Sequence, residues 1–222
     1  MPLALLLDID GTLLDTLDAI MAATNGALAE VGHPPLRTEE LRPLIGIPID
    51  RQMQMLRGID AETAAGIGES YYRHFVEHVD RGVRPYPGVA ETLARLADRP
   101  IGTMTTRRRE VAERMLRKAG LDGHFRAITG GDEVPRPKPE PDLPRHAARA
   151  LGVAPEACVV VGDAPVDILA GRAAGTWTVA ATYGYGDLRE LRDVHPHAEI
   201  AAFPELPHVL EQLEAHGRRG MR

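Results

Sequence analysis

Asp8 and Asp10 stand one residue apart at the end of the apolar run Leu3–Leu7, and Gly11 and Thr12 follow them. Two carboxylates so placed project from one side of an extended strand end. They repel unless a cation sits between them or one holds a proton. A hard dication such as Mg²⁺, which prefers oxygen ligands, meets that need. Gly11 lets the backbone turn closely enough for N–H groups to face an anion, and Thr12 can hydrogen-bond a carboxylate. The same residues also suit an ordinary surface turn, with Asp8 as its cap. A calcium loop does not fit, because its third acid belongs where Thr12 stands.

A second apolar run, ACVVVGD, also ends in an acid, Asp163, and Asp167 follows early in the next helical stretch. Asp163 could simply cap that helix, and a capping role is compatible with metal binding. Lys138 is the sharpest compositional signal. The chain has 26 basic residues, of which only Lys118 and Lys138 are lysine, and Lys138 sits in the stiff frame PRPKP. An ammonium is a compact point charge and a guanidinium a planar fork, so the choice of lysine matters at a tight anion or carboxylate site. A solvated loop lysine is the plainer alternative. Arg107, Arg108 and Arg109 open a helix, where positive charge is unfavourable. Either Arg107 reaches a substrate or the three form a solvated basic turn.

The elements that must position these groups follow from hydrophobic periodicity. Residues 3–8 read as a strand covered on both faces. From Asp15 to about Val79 only helical patterns occur, interrupted by Gly46-Ile47-Pro48, and Asp60 is placed to cap the last of them. After Tyr86-Pro87-Gly88 strands and helices alternate: IGTMTT, FRAITGG, ACVVVGD and TWTVAAT are the strands. Such alternation implies right-handed βαβ units and a parallel sheet. The expected fold is α/β, a Rossmann-like three-layer core (1–14 and 84–222) with an inserted helical cap (15–83). Ligands of such sheets bind beyond the carboxyl ends of the strands. Asp8, Asp10, Thr105, Thr106 and Asp163 all stand at those ends.

With these motifs in this order, the chain resembles the haloacid dehalogenase-like hydrolase superfamily, in its phosphoglycolate phosphatase-like branch. The resemblance covers essentially the whole chain. It implies Asp8 as nucleophile, Asp10 as general acid and base, Thr105 as the phosphate-binding hydroxyl and Lys138 as the lysine of the third motif. It implies Mg²⁺ held by Asp8, Asp163 and the backbone carbonyl of Asp10, with Asp167 supporting the metal or the lysine. Gly11, Thr12, Thr106 and Arg107 complete the expected substrate-binding set. The implied activity is hydrolysis of a small phosphomonoester, phosphoglycolate first, through an aspartyl-phosphate. A phosphosugar mutase on the same scaffold and an idle binding protein are the alternatives. Thr106 stands where relatives often carry Asn, and Ala164 where they carry Ser or Thr.

The remaining signals are weaker. HFVEH (74–78) matches an inverted zinc-protease motif but equally an exposed helix face. YGYG (183–186) lacks phosphate-loop spacing and reads as a loop at the rim of the site. Cys158 has no second cysteine to pair with and reads as a small core residue. A net charge of −6 gives no reason to expect nucleic acid or an anionic membrane as partner. No apolar run reaches the length of a membrane span. The expected protein is cytoplasmic, a monomer or homodimer, acting on a small phosphorylated metabolite.

Overall fold

The computed structural model describes the backbone of residues 2–220 and the side chains of residues 2–216. Strand β1 (Ala4–Leu7) is followed by a two-residue strand, β2 (Leu14–Asp15). Four helices come next: α1 (Leu17–Glu30), α2 (Thr38–Leu41), α3 (Ile49–Arg57) and α4 (Ala61–Arg81). Strand β3 (Arg84–Pro85) then pairs antiparallel with β2, so the helical cap hangs from a two-stranded ribbon. Asp60 caps α4 as its position suggested, its carboxylate accepting from the N–H groups of Glu62 and Thr63.

The rest alternates: α5 (Val89–Arg95), β4 (Ile101–Thr103), α6 (Arg109–Lys118), α7 (Asp142–Ala150), β5 (Cys158–Gly162) and α8 (Pro165–Ala174). It closes with β6 (Trp177–Ala181), α9 (Leu188–Asp193), β7 (Ala198–Ile200) and α10 (Leu206–Gly220). The sheet order is β4-β1-β5-β6-β7, all parallel. This is the expected Rossmann-like core with its inserted cap.

Alternation along the central strands builds the layers. Leu5 and Leu7 of β1 and Val159 and Val161 of β5 join one buried cluster, with Leu93, Met115 and Leu210 of flanking helices. Ala4, Leu6, Cys158 and Val160 face the other way, onto Leu143 and Ala147 of α7. A strand buried on both faces reads as an unbroken apolar run, which is why β1 and β5 were legible. The first cluster continues into Ile20, Leu28, Ile67 and Phe75, so cap and core share one apolar interior. Cys158 behaves as a core residue, and burial pushes its thiol up to about 12.

One expected strand did not form. Residues 126–129 make only a single parallel bridge, Gly102 to Ala127. The backbone N–H and Oγ1 of Thr129 donate to Oγ1 and the carbonyl of Thr103, while the Thr103 hydroxyl donates to the Thr129 carbonyl. Side-chain bonds there replace a regular ladder.

The consequence for function is positional. β1 lies between β4 and β5, so the segments leaving those three strands converge. The chain moves from β1 to one neighbour and then crosses to the other, which makes the end of β1 a topological switch point.

Leu6 is fully buried in the central strand. Leu6→Ala should therefore destabilise the protein by about 2–5 kcal/mol in urea unfolding. A loss well under 1 kcal/mol would contradict this packing.

Candidate active site

Four carboxylates, Asp8, Asp10, Asp163 and Asp167, are buried at the switch point with two cations, Lys138 and Arg107. Asp8, Asp163 and Asp167 each place a carboxylate oxygen within 4.8 Å of the others. Lys138 Nζ donates to Asp8 Oδ1 at 2.8 Å and to Asp167 Oδ1 at 2.6 Å. The other oxygen of Asp167 accepts from the Ala164 N–H at 2.9 Å, closing the first turn of α8. Asp163 accepts from the Thr12 hydroxyl at 2.9 Å and from the Tyr185 N–H at 2.7 Å. Gly11 has φ +79°, and a Cβ there would collide with the Asp163 carboxylate, so only glycine lets the two loops meet.

This grouping is electrostatically unsatisfied. Burial lifts the Asp8 carboxyl to about 7, with the charges of Asp167 and Asp10 adding and Lys138 opposing. Burial also holds Asp163 well above the carboxylate range, and Asp167 and Asp8 add to it. Burial disfavours the Lys138 ammonium, but Asp167 and Asp8 beside it keep its pKa above the usual value. Ionised together, the four carboxylates would outnumber the two cations by two charges, and hard oxygen donors surround that deficit. A divalent cation fits that deficit and that donor set.

Asp10 is placed apart from the three-acid group. Its carboxylate accepts from Arg107, Nε to Oδ2 at 2.7 Å and Nη2 to Oδ1 at 3.0 Å. It also accepts from the Thr16 hydroxyl at 2.5 Å. Thr16 stands at the N-cap of α1 but makes no capping bond, because its hydroxyl is turned to Asp10. Arg107 in turn donates to the Tyr71 hydroxyl and lies 3.8 Å from the Phe75 ring centroid, both on α4. One guanidinium thus ties the core to the cap. The other two arginines are likewise paired: Arg108 with Glu69 of α4, and Arg109 with Glu113 and Glu133. That pairing answers the adverse charge at the start of α6.

Above Asp8 lies a cavity of about 30 Å³, room for one or two waters. Asp10, Thr106 and Arg107 line it from the core, and Gly46, Ile47 and Gln52 are among the cap residues that cover it. Thr105 is buried, its Oγ1 accepting from the Arg107 N–H at 3.2 Å, and is not among the lining residues. Thr12 turns its hydroxyl to Asp163 rather than to the cavity. Of the HFVEH pair, His74 is engaged by Glu30, and no metal-ligating group forms there among the described residues.

A match to the model of the haloacid dehalogenase-like hydrolase family runs from residue 5 to residue 181. The chain belongs to that family. A phosphoglycolate phosphatase of Neisseria meningitidis is 32% identical over 219 residues, covering 95% of this chain and 93% of the relative. The pyrophosphatase PpaX of Bacillus velezensis is 31% identical over 208 residues, 93% and 95% of the two chains. Among solved structures, CbbY from Rhodobacter sphaeroides, in complex with xylulose 1,5-bisphosphate, superposes with a TM-score of 0.82. Its identity is 26%, with 93% and 96% of the chains covered.

Several residues of this hydrolase site lay beyond sequence reasoning. Tyr185 is the clearest: its N–H supports Asp163 while its hydroxyl accepts from the Thr16 and Leu17 N–H groups at 2.5 and 3.0 Å. The motif YGYG marked the loop but not this double duty. Thr16, Tyr71 and Phe75 carried no signal of their own, since each contacts the site from a different element.

The lifted Asp8 fixes a pH dependence. An acid whose pKa rises on folding contributes stability below its ordinary 3.8 and loses it as pH rises through about 7. A bound divalent cation removes that penalty. Millimolar MgCl₂ or MnCl₂ should therefore raise Tm clearly at pH 8 and much less at pH 5.5; equal shifts at both would contradict the charge argument.

Proposed function

We propose that this protein is a Mg²⁺-dependent phosphatase that hydrolyses a small phosphomonoester through an aspartyl-phosphate. The observation that carries the reading is the buried group Asp8–Asp163–Asp167 with Lys138 bonded to two of its members. Phosphoryl transfer asks mainly for positioning and charge neutralisation, and this group offers both. Residues 1–14 and 84–222 act as the catalytic core and residues 15–83 as the cap. The names of the relatives and the bisphosphate bound to CbbY make a phosphorylated metabolite the substrate class. Phosphoglycolate is the first candidate, and Arg107, the cationic residue lining the cavity, offers its carboxylate a counter-charge.

Asp8, Asp163 and Asp167 would hold Mg²⁺, together with the Asp10 carbonyl. When bound, the ion supplies charge neutralisation to the phosphoryl oxygens. The Asp8 carboxylate attacks phosphorus, and the bond to the alkoxide breaks as the acyl-phosphate forms. Lys138 holds Asp8 in place and compensates charge on the transferring group. Asp10 gives a proton to the leaving alkoxide, then takes one from the water that hydrolyses the intermediate. Thr105, Thr106, Gly11 and Thr12 lie at the loops that would receive the phosphate. The cavity is too small for an ester in the present closed arrangement, so the cap has to shift for entry. As substrate enters, Arg107 would exchange part of its bond to Asp10 for the substrate's negative charge.

Asp8→Asn should abolish phosphate release from phosphoglycolate while leaving the circular dichroism spectrum unchanged. Residual turnover within tenfold of the parent would sink the mechanism. Asp10→Asn should lose at least a hundredfold in kcat. Release of inorganic phosphate, rather than an isomerised sugar phosphate from a bisphosphate-primed reaction, separates the phosphatase from a phosphosugar mutase. Failure of the intact protein to hydrolyse any phosphomonoester would favour an idle binding protein.

A further inference from the structure

We propose that the cavity over Asp8 also favours a leaving group that bears a hydroxyl, besides any carboxylate answered by Arg107, and that Oε1 of Gln52 is the acceptor that reads it. The proposal rests on the phosphatase reading above and names a substrate class for the same site.

Gln52 lies in α3, is 5% exposed and lines the cavity together with Asp8 and Asp10. Its Nε2 donates to the carbonyls of Leu44 and Ile47, at 3.0 and 2.7 Å. Those two bonds fix the orientation of the amide, since the flipped form would set Oε1 against two carbonyl oxygens. They also leave Oε1 buried with no hydrogen-bond partner. A buried acceptor in that state is costly unless something donates to it.

The surroundings narrow what that donor is. Ile20, Ile45, Ile47 and Ile49 line the same cavity and bring no polar side-chain atom. Arg107 faces Asp10 and Tyr71. Tyr71, for its part, is drawn to Arg107 and stacked on Phe75. Tyr72 and Thr106 also line the cavity, and Oε1 of Gln52 is the buried acceptor there that has no partner. A carboxylate or a second phosphate has only acceptors to offer it and is repelled. An ammonium could donate but would be stripped of water among isoleucines, at high cost. A neutral hydroxyl donates without that penalty. Arg107 then answers a carboxylate, and Gln52 answers a hydroxyl.

Three two-carbon esters test this on the full-length protein with Mg²⁺: phosphoglycolate, 2-hydroxyethyl phosphate and ethyl phosphate. The last two differ by one hydroxyl. The parent should prefer 2-hydroxyethyl phosphate over ethyl phosphate by about tenfold in kcat/KM. In Gln52→Leu that ratio should collapse to near one. Because Nε2 also braces the 44–48 loop, the variant is expected to lose activity generally; a purely structural role would lower both esters equally and keep their ratio. No preference in the parent, or a ratio that survives Gln52→Leu, overturns the proposal. Should the variant not fold, the parent ratio alone decides. Preference for 2-aminoethyl phosphate over the hydroxyethyl ester would overturn the assignment of a hydroxyl. The phosphatase reading fails differently, by release of phosphate from none of these esters, whereas turnover of phosphoglycolate without a hydroxyl preference sinks this inference alone.

Discussion

The structure turns on an imbalance of buried charge. Asp8, Asp10, Asp163 and Asp167 are withdrawn from water with only Lys138 and Arg107 to answer them. Burial of an ionised carboxylate is tolerated only where it is paired, hydrogen-bonded or bound to metal. Each of the four accordingly has a partner: a lysine, an arginine, a helix N–H, a loop N–H or a threonine hydroxyl. Those partners come from separate elements, so the loops after β1, β4 and β5 are fixed by the same bonds that hold the acids. Gly184 shows how tightly: a Cβ there would overlap the Asp163 side chain. The site is the part of the fold where charge repulsion opposes packing, and its rigidity comes from the bonds that contain that repulsion.

The cap is not independent of this network. Thr16 bonds Asp10 at the first turn of α1, Tyr185 accepts from the start of α1 while supporting Asp163, and Arg107 joins Asp10 to Tyr71. On the far side of the hinge, Arg42 of the cap donates to the carbonyls of Gly184 and Tyr185. Arg108 and Arg114 pair with Glu69 and Asp80 of α4, though such exposed pairs contribute little each. The cap thus helps to hold the Asp10 carboxylate, directly through Thr16 and indirectly through Tyr71 and Arg107.

How much of this the sequence disclosed follows from range. β1 and β5 are short, apolar on both faces and end in acids, so local pattern alone marked both the strands and Asp8, Asp10 and Asp163. Lys138 stood out because the chain otherwise uses arginine. The Asp60 cap was local as well. What stayed hidden was whatever depends on a partner distant in the chain. The adverse charge of Arg107 at the start of α6 was visible, but its resolution by an acid 97 positions away was not. Tyr185 carried no periodicity that could reveal a bond to α1. The segment 126–129 had strand composition, yet the threonine bonds that replace its ladder depend on Thr103 in β4.

The same distinction separates chemistry from selectivity. Charged groups that must hold position to a fraction of an ångström sit at the ends of parallel strands, where a sheet buried on both faces cannot move. Groups on the cap can be brought in by closure and let product leave on opening, while Arg107 faces the same cavity from the core. Ile20, Ile45, Ile47 and Ile49 give the cap wall shape and exclude water, beside the polar Gln52, Tyr71 and Tyr72. Against such a wall a buried acceptor without a partner, such as Gln52 Oε1, carries weight. Phosphate recognition is thus built from many shared charges, and recognition of the leaving group from few, isolated ones. A sequence in which the first set is complete can still differ from its relatives in the second through one side chain.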